Sequence, residues 1–227
     1  MRPDGTAHGV ADRQLLARNT LYNLAGQIVP LGAALFAIPG LLLALSAERL
    51  GVLTLAWAVV GYFSVFDFGI GRALTKLVAE RLGTSAEPQV GSLIWSALVL
   101  LTVIGVIIAV ALGATASPLV ANVLRVPPAL HAETVATLYV LAAGIPFVVT
   151  TGALRGVLEA KQRFGVVNAI RIPLGAVTFL GPWAVAQYTV SLPAAVLVLT
   201  LARIVAWAAH AYYCRSLLAG EHKFRAN

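Results

Sequence analysis

The sequence predicts an all-α, polytopic membrane protein with six transmembrane helices. Two features of its composition favour this class: of the 227 residues, 59% are hydrophobic and only 11% are charged. Soluble globular domains carry about 25% charged residues and about 45–50% apolar ones. A third feature is the order of the apolar residues, which form six runs close to the length of about 20 residues that a helix needs to cross a bilayer.

The six predicted spans follow one another closely and are separated by short polar or positively charged stretches. The first apolar run is too long for the core of a signal peptide, so we expect it to be retained as a span. The chain then consists of an N-terminus (1–18), a six-helix transmembrane lobe (19–214) and a tail (215–227). The spans are predicted at about 20–45, 50–70, 91–116, 134–154, 166–188 and 193–213.

The lysine and arginine residues predict how the chain is oriented. Twelve lie on the side that holds both termini, loop 71–90 and loop 155–165, whereas only Arg49 and Arg125 lie on the other side. Cytoplasmic loops of membrane proteins carry an excess of these residues. We therefore expect both termini in the cytoplasm. On the outer side, loop 117–133 is expected to contain a short amphipathic surface segment.

Several classes of function are disfavoured by the sequence. The net charge is +7, but no basic stretch is interleaved with aromatic residues, so no nucleic-acid partner is expected. The single cysteine, Cys214, cannot form an internal disulfide, and no Cys/His cluster predicts a metal. Catalytic motifs and paired carboxylates are also absent. We expect no enzyme and no cofactor, and we assign no role to the four histidines, which lie at or outside the span ends.

Ionisable residues inside the predicted spans are few, and a charge at that depth points to function because it is costly there. Arg203 lies near the middle of the sixth span, where facing lipid would cost about 2.5–3.5 kcal/mol. It is either a cation in a water-filled path, able to hold an anion, or a buried arginine bonded to carbonyls or to Asp67. Asp67, at the cytoplasmic end of span two, is a candidate for ion coupling or gating. A local pair with Arg72 or Lys76 is an equally open alternative.

A polar stripe runs along the first predicted span. Asn19, Asn23 and Gln27 are spaced four residues apart and therefore share one face of a helix. This face either lines a polar cavity or makes hydrogen bonds to neighbouring helices. Pro30 and Pro39 predict a bent helix, which favours the cavity.

Three segments of the chain resemble a known family in their order and spacing. They are residues 19–83, which include the ERLGVL turn and FDFGIGRALTKLVAE, then VPPALHAE (126–133) and RGVLEAKQRFGVVNAIRIPLG (155–175). The chain is identified as a member of the polysaccharide flippases. These are the O-antigen and lipid-linked-oligosaccharide translocases of the multidrug/oligosaccharidyl-lipid/polysaccharide exporter superfamily.

The resemblance implies a MATE-like fold of two six-helix lobes, of which this chain supplies the amino-terminal one. The implied substrate is an undecaprenyl-diphosphate-linked oligosaccharide, moved across the bacterial inner membrane by alternating access for surface polysaccharide biosynthesis. The implied partners are this substrate, membrane lipids and a second six-helix lobe. That lobe would come from a lost continuation of the chain or from a homodimer.

A diphosphate carried through a membrane needs cations, and sugar hydroxyls need hydrogen-bonding groups. The predicted ion-coupling or gating residue is Asp67. Two alternative functions of the chain stay open. One is a MATE-like drug or cation antiporter, which would need acids in its cavity. The other is a non-transporting membrane subunit of a glycan-assembly complex. The predicted substrate-binding residues are Arg203, Arg18, Arg72, Asn19, Asn23 and Gln27.

Overall fold

The structure is a computed structural model. Every regular secondary-structure element among its described residues is a helix. A 3₁₀-helix, Pro128–Leu130, directly precedes α5. The α-helices are α1 (Gly5–Ala44), α2 (Ala47–Val65), α3 (Ile70–Arg81), α4 (Val90–Asn122), α5 (His131–Ala160), α6 (Phe164–Ala186) and α7 (Leu192–Arg225). The structure describes the backbone of residues 5–65, 70–81, 84 and 89–225, and the side-chain surroundings of 24–63, 71–81, 84 and 89–217.

Within the described residues, five helices are long and apolar enough to cross a membrane. Their outward faces carry large apolar side chains, among them Leu35, Ile107 and Val205, which are more than half exposed. The prediction of an all-α, multi-pass membrane protein is therefore confirmed. Helix α2, at the second predicted span, is not one of the five, and the count of six spans stays a prediction. The five are Leu24–Ala44, Val90–Asn122, Pro128–Ala160, Phe164–Ala186 and Leu192–Leu217.

Helix α5 is the centre of the packing. It contacts α2, α3, α4, α6 and α7, and half of its most apolar stretch is buried. Its first half joins an apolar cluster with α1, α2, α4 and α7, which includes Leu53, Leu138 and Leu199. Its second half joins another cluster with α3, α4 and α7, which includes Val78 and Val157. Helix α5 therefore has a fixed position from end to end.

Small residues allow these helices to approach closely. A Cβ atom built on Gly156 of α5 would lie 2.6 Å from the Thr75 Oγ1 atom and 2.8 Å from the Gly71 carbonyl oxygen of α3. A Cβ on Gly105 of α4 would lie 2.8 Å from the backbone of Pro146 in α5. Lipid tails are as apolar as the side chains, so membrane helices associate largely through such close packing.

Two expectations about the helices need correction. Loop 71–90 contains helix α3, because Leu74 and Val78 form a short apolar face that packs against α4 and α5. Helix α4 continues to Asn122, into the stretch expected to form the outer surface segment. Helix α1 continues through Pro30 and Pro39, and the bend expected there stays a prediction. Neighbouring helices and hydroxyl side chains commonly compensate for proline in membrane helices.

One ion pair ties three helices together at the end of the bundle where α5 begins. The Arg49 guanidinium of α2 donates to Glu133 Oε2 of α5, with N–O distances of 3.1 and 3.3 Å. The other carboxylate oxygen, Oε1, accepts the backbone N–H of Leu192 at 2.8 Å. That N–H lies in the first turn of α7, where backbone N–H groups have no acceptor within their own helix. Glu133 therefore stabilises the packing of α2, α5 and α7.

Candidate functional site

A cavity of about 720 Å³ lies between α1, α5, α6 and α7. Each helix contributes residues at helical spacing, as one face of a helix must. On α7 these are Arg203, Ala206 and His210, separated by three and four residues. Arg203 therefore lies about 10 Å from His210 along the helix axis.

The walls from α5 and α6 add further charged and polar groups. Helix α5 supplies Arg155 and Glu159 near its last turn, and α6 supplies Arg171 and, farther along, Thr178. Helices α5 and α6 run in opposite directions, so the end of α5 and the start of α6 lie at the same end of the bundle. The charged side chains thus extend from that end to Arg203, about halfway along the membrane-crossing part of α7.

Arg203 occupies the deepest part of the cationic wall. Its side chain is partly buried, and its one described hydrogen bond is a long one, 3.5 Å to the Leu199 carbonyl oxygen. No carboxylate of the described side chains lies within ion-pair distance. Arg203 thus lines the cavity and makes one long bond to a carbonyl oxygen, while its predicted alternative partner, Asp67, lies outside the described residues.

Helix α1 closes the cavity through Gln27, Gly26 and Pro30. Gly26 lies against α6: a Cβ atom built on it would lie 3.4 Å from Asn168 Oδ1 and 3.9 Å from Arg171 Nε. The Asn168 side chain is almost fully buried, and its Oδ1 atom has no hydrogen-bond partner among the described groups. Asn168 is not one of the cavity-lining residues, so this unpaired acceptor, which is unfavourable when buried, belongs to the contact between α1 and α6.

The side chains that line the cavity carry an excess of positive charge. Three guanidinium groups, those of Arg155, Arg171 and Arg203, face a single carboxylate, Glu159. Glu159 pairs with Arg155 at 3.5 Å, whereas Arg171 and Arg203 lack a described carboxylate partner. Arginine binds phosphate oxygens through its planar fork of donors. The cavity therefore suits an anionic ligand, and phosphate groups in particular.

The predicted site residues are only partly brought together. Arg203 and Gln27 line the same cavity. Arg72 is exposed on α3 and is not one of the cavity-lining residues. The side chains of Arg18, Asn19 and Asn23, and the whole of Asp67, lie outside the described residues.

Four titratable residues of the cavity wall are not among those selected from the sequence, and Glu159 is one of them. Arg155 falls in loop 155–165, which is predicted to be cytoplasmic, and Arg171 falls inside the fifth predicted span, 166–188. His210 received no role, yet it lines the cavity and is almost fully buried. A signal was present for two of them: His210 is seven residues after Arg203, and so on the same helix face, and Arg171 is a charge inside a span.

Metal binding has no support in the described part of the chain. No group of three or more His, Cys, Asp or Glu side chains there could hold a metal ion. The cavity offers one histidine and one carboxylate, and that carboxylate is paired with an arginine. The chemistry of this donor set therefore favours binding of an anion over binding of a metal.

Comparison with known proteins shows the family to which the chain belongs. A family model described as "Polysaccharide biosynthesis protein" matches residues 16–227. The chain is 29% identical over 203 residues to the "Putative O-antigen transporter" of Shigella flexneri. The alignment covers 88% of this chain and 47% of that relative, so the chain spans about half of the relative's length. No solved structure matches the chain. The family resemblance seen in the sequence motifs is thus confirmed: the chain belongs to the polysaccharide biosynthesis protein family.

Proposed function

We propose that the chain is one lobe of a flippase that moves an undecaprenyl-diphosphate-linked oligosaccharide from the cytoplasmic to the outer leaflet of the bacterial inner membrane. The observation that carries this proposal is the cavity with Arg203, Arg171 and Arg155 on its walls. The family match and the transporter name of the Shigella flexneri relative support it. That relative is named as a transporter, which also supports the prediction that the chain is not an enzyme.

In this proposal the arginines hold the diphosphate, and Gln27 is a hydrogen-bonding group for the sugar. Arg203 binds deepest, because it lies about halfway along α7 and lacks a described carboxylate partner. Arg18, Arg72, Asn19 and Asn23 remain proposed binding residues nearer the cytoplasmic mouth, with Asp67 for ion coupling or gating. The positive-inside distribution supports cytoplasmic termini (1–18 and 215–227).

A second lobe is needed for alternating access in this scheme. The chain covers 47% of its transporter relative, which supports a partner lobe of similar size, from a continuation of the chain or from a second copy. Parallel repeats related by an axis along the membrane normal make both arrangements possible. The ligand would then bind between the α1–α5–α6–α7 wall and the partner lobe.

The cavity charge separates this proposal from its alternatives. A cation antiporter needs unpaired acids in the cavity, but the one described carboxylate there, Glu159, is paired with Arg155. A non-transporting subunit has no need of an arginine halfway across the bilayer, where burial of its charge is costly. Arg203 lies at that depth, and no carboxylate of the described side chains pairs with it. Both alternatives therefore fit the observed wall less well than a carrier of a lipid diphosphate.

The test is transport of a fluorescent lipid-linked oligosaccharide by the complete transporter in liposomes. Arg203→Ala should lower the initial rate about tenfold or more, because a hydrogen bond to a charged group contributes about 1.5–3 kcal/mol. The matched control is Arg125→Ala, which removes an exposed arginine outside the cavity and should leave the rate unchanged. Equal rates for the wild type and Arg203→Ala would remove Arg203 from the mechanism.

A further inference from the structure

Glu159 is the one acidic side chain among the described residues that line the cavity. Its Oε1 atom lies 3.5 Å from Nε of Arg155, one turn earlier in α5. The side chains of Arg155 and Glu159 are 43% and 36% exposed, so water screens their attraction. Ion pairs of this kind are weak. An anion that enters the cavity can therefore compete with Glu159 for Arg155.

The Arg155–Glu159 pair joins no two helices. The pair between Arg49 and Glu133 links α2 to α5, whereas Arg155 and Glu159 both belong to α5. A third pair, Lys76–Glu80, also lies within one helix, but on the exposed surface of α3. Breaking the cavity pair would separate no elements, so the packing of the bundle does not account for it.

The position of Glu159 is also unfavourable for its own helix. It precedes the last residue of α5, Ala160, where the helix dipole disfavours a negative charge. The order of the pair, with the basic residue four positions before the acidic one, is the less stabilising of the two possible orders. A carboxylate that neither joins helices nor suits its helix end points to a role toward the ligand.

The charge balance of the cavity indicates what that role is. Glu159 neutralises one of three guanidinium groups, which leaves Arg171 and Arg203 without a described acidic partner. Each phosphate of a diphosphate that links a lipid to a sugar keeps one negative charge at neutral pH. The two unpaired arginines therefore match the two charges of such a ligand.

We propose that Glu159 is an internal competitor of the substrate. In the empty cavity Glu159 pairs with Arg155. When the diphosphate enters, Arg155 binds the phosphates instead. When the ligand leaves, the pair between Arg155 and Glu159 forms again. The competition weakens substrate binding and so favours release, which a carrier needs as much as uptake. This inference rests on the proposed function, because it requires an anionic ligand in the cavity.

The test is binding of a short-chain prenyl-diphosphate sugar to the purified complete transporter at fixed ionic strength. Glu159→Gln should bind about two- to threefold more tightly than the wild type, the range set by the weak pair that it removes. Glu80→Gln is the matched control, because it breaks the other pair that lies within a helix, outside the cavity. It should leave the affinity unchanged. The gain from Glu159→Gln should disappear in an Arg155→Gln background, whereas a general effect of charge would persist there.

Thermal unfolding provides a second readout. Glu159→Gln should keep or raise the unfolding temperature, since it relieves the unfavourable charge at the end of α5; a fall would indicate a structural role and overturn the inference. Unchanged affinity in Glu159→Gln, with weaker binding in Arg203→Ala, would overturn it and leave the proposed function intact. If the wild type binds no diphosphate ligand and Arg203→Ala is no different, both proposals fail.

Discussion

At the scale of single residues, charge has two different uses in this protein. Glu133 is fully engaged: one oxygen accepts from Arg49 and the other from the Leu192 backbone N–H. Among the described groups, Arg203 has one hydrogen bond, a long one to a carbonyl oxygen of its own helix. A satisfied charge of the first kind stabilises the fold, whereas a charge of the second kind is suited to a ligand.

The residue-scale prediction concerns Glu133. Glu133→Gln should lower the free energy of unfolding by about 1.5–3 kcal/mol, since it weakens charged hydrogen bonds to Arg49 and to the first turn of α7. The measurement is thermal or denaturant unfolding of the purified protein in detergent. Glu80→Gln, which breaks an exposed pair, should change stability by no more than about 0.5 kcal/mol. Equal effects of the two variants would show that Glu133 does not tie the helices together.

At the scale of elements, α3 supports the helix that carries much of the cavity wall. Its apolar face packs against the second half of α5, and its backbone touches α5 at Gly156. The cavity residues Arg155 and Glu159 flank that glycine on the same helix. The position of the charged end of α5 therefore depends on the contact with α3.

The element-scale prediction is that Gly156→Ala displaces α3 from α5. The added methyl group would lie 2.8 Å from the Gly71 carbonyl oxygen, a backbone atom that yields only if α3 moves. Overpacking of this kind costs about 1–3 kcal/mol. Gly51→Ala in α2 is the control, because nothing lies within 4 Å of its added Cβ atom. Unfolding temperatures and ligand affinity should both fall for Gly156→Ala alone; an unchanged variant would show that the contact is loose.

Sequence patterns account for the long helices but not for α3 or for the helix ends. Hydropathy locates stretches that tolerate lipid, and so it finds the cores of the spans. It treats Ile70–Arg81 as a loop because Arg72, Lys76 and Arg81 lower the average. Hydropathy also fails to locate the helix ends, because α4 and α5 continue beyond the apolar part of their spans. These ends depend on local hydrogen bonding and on packing rather than on hydropathy.

The site was predictable where a charge or a polar stripe lies inside a span, as with Arg203 and Gln27. Arg203 was identifiable because a cation halfway across a bilayer is costly. Arg155 was not, because an arginine near a span end is ordinary, and the only signal for His210 was its spacing of seven residues from Arg203. Their cavity role depends on which faces of α5 and α7 turn toward α1 and α6, and the packing of the whole bundle decides that.

At the scale of the whole molecule, the cavity brings together the first helix and the last three. Large apolar side chains, such as those of Leu35 and Val205, face outward from these same helices. The result is an apolar exterior, suited to lipid, around a cationic interior. The proposed function requires that this interior be wet and bind anions, and the turn of the four helices about their axes decides which side chains line it.

The most direct test compares two neighbouring positions on α1 by cysteine labelling in membranes. In a Cys214→Ser background of the complete transporter, Gln27→Cys lies on the cavity wall and Ile28→Cys on an exposed apolar face. We predict that a charged, water-soluble thiol reagent modifies position 27 and not position 28. We also predict that a lipid-linked diphosphate sugar protects position 27. Equal labelling of both positions, or no protection at position 27, would contradict a water-filled, anion-binding interior.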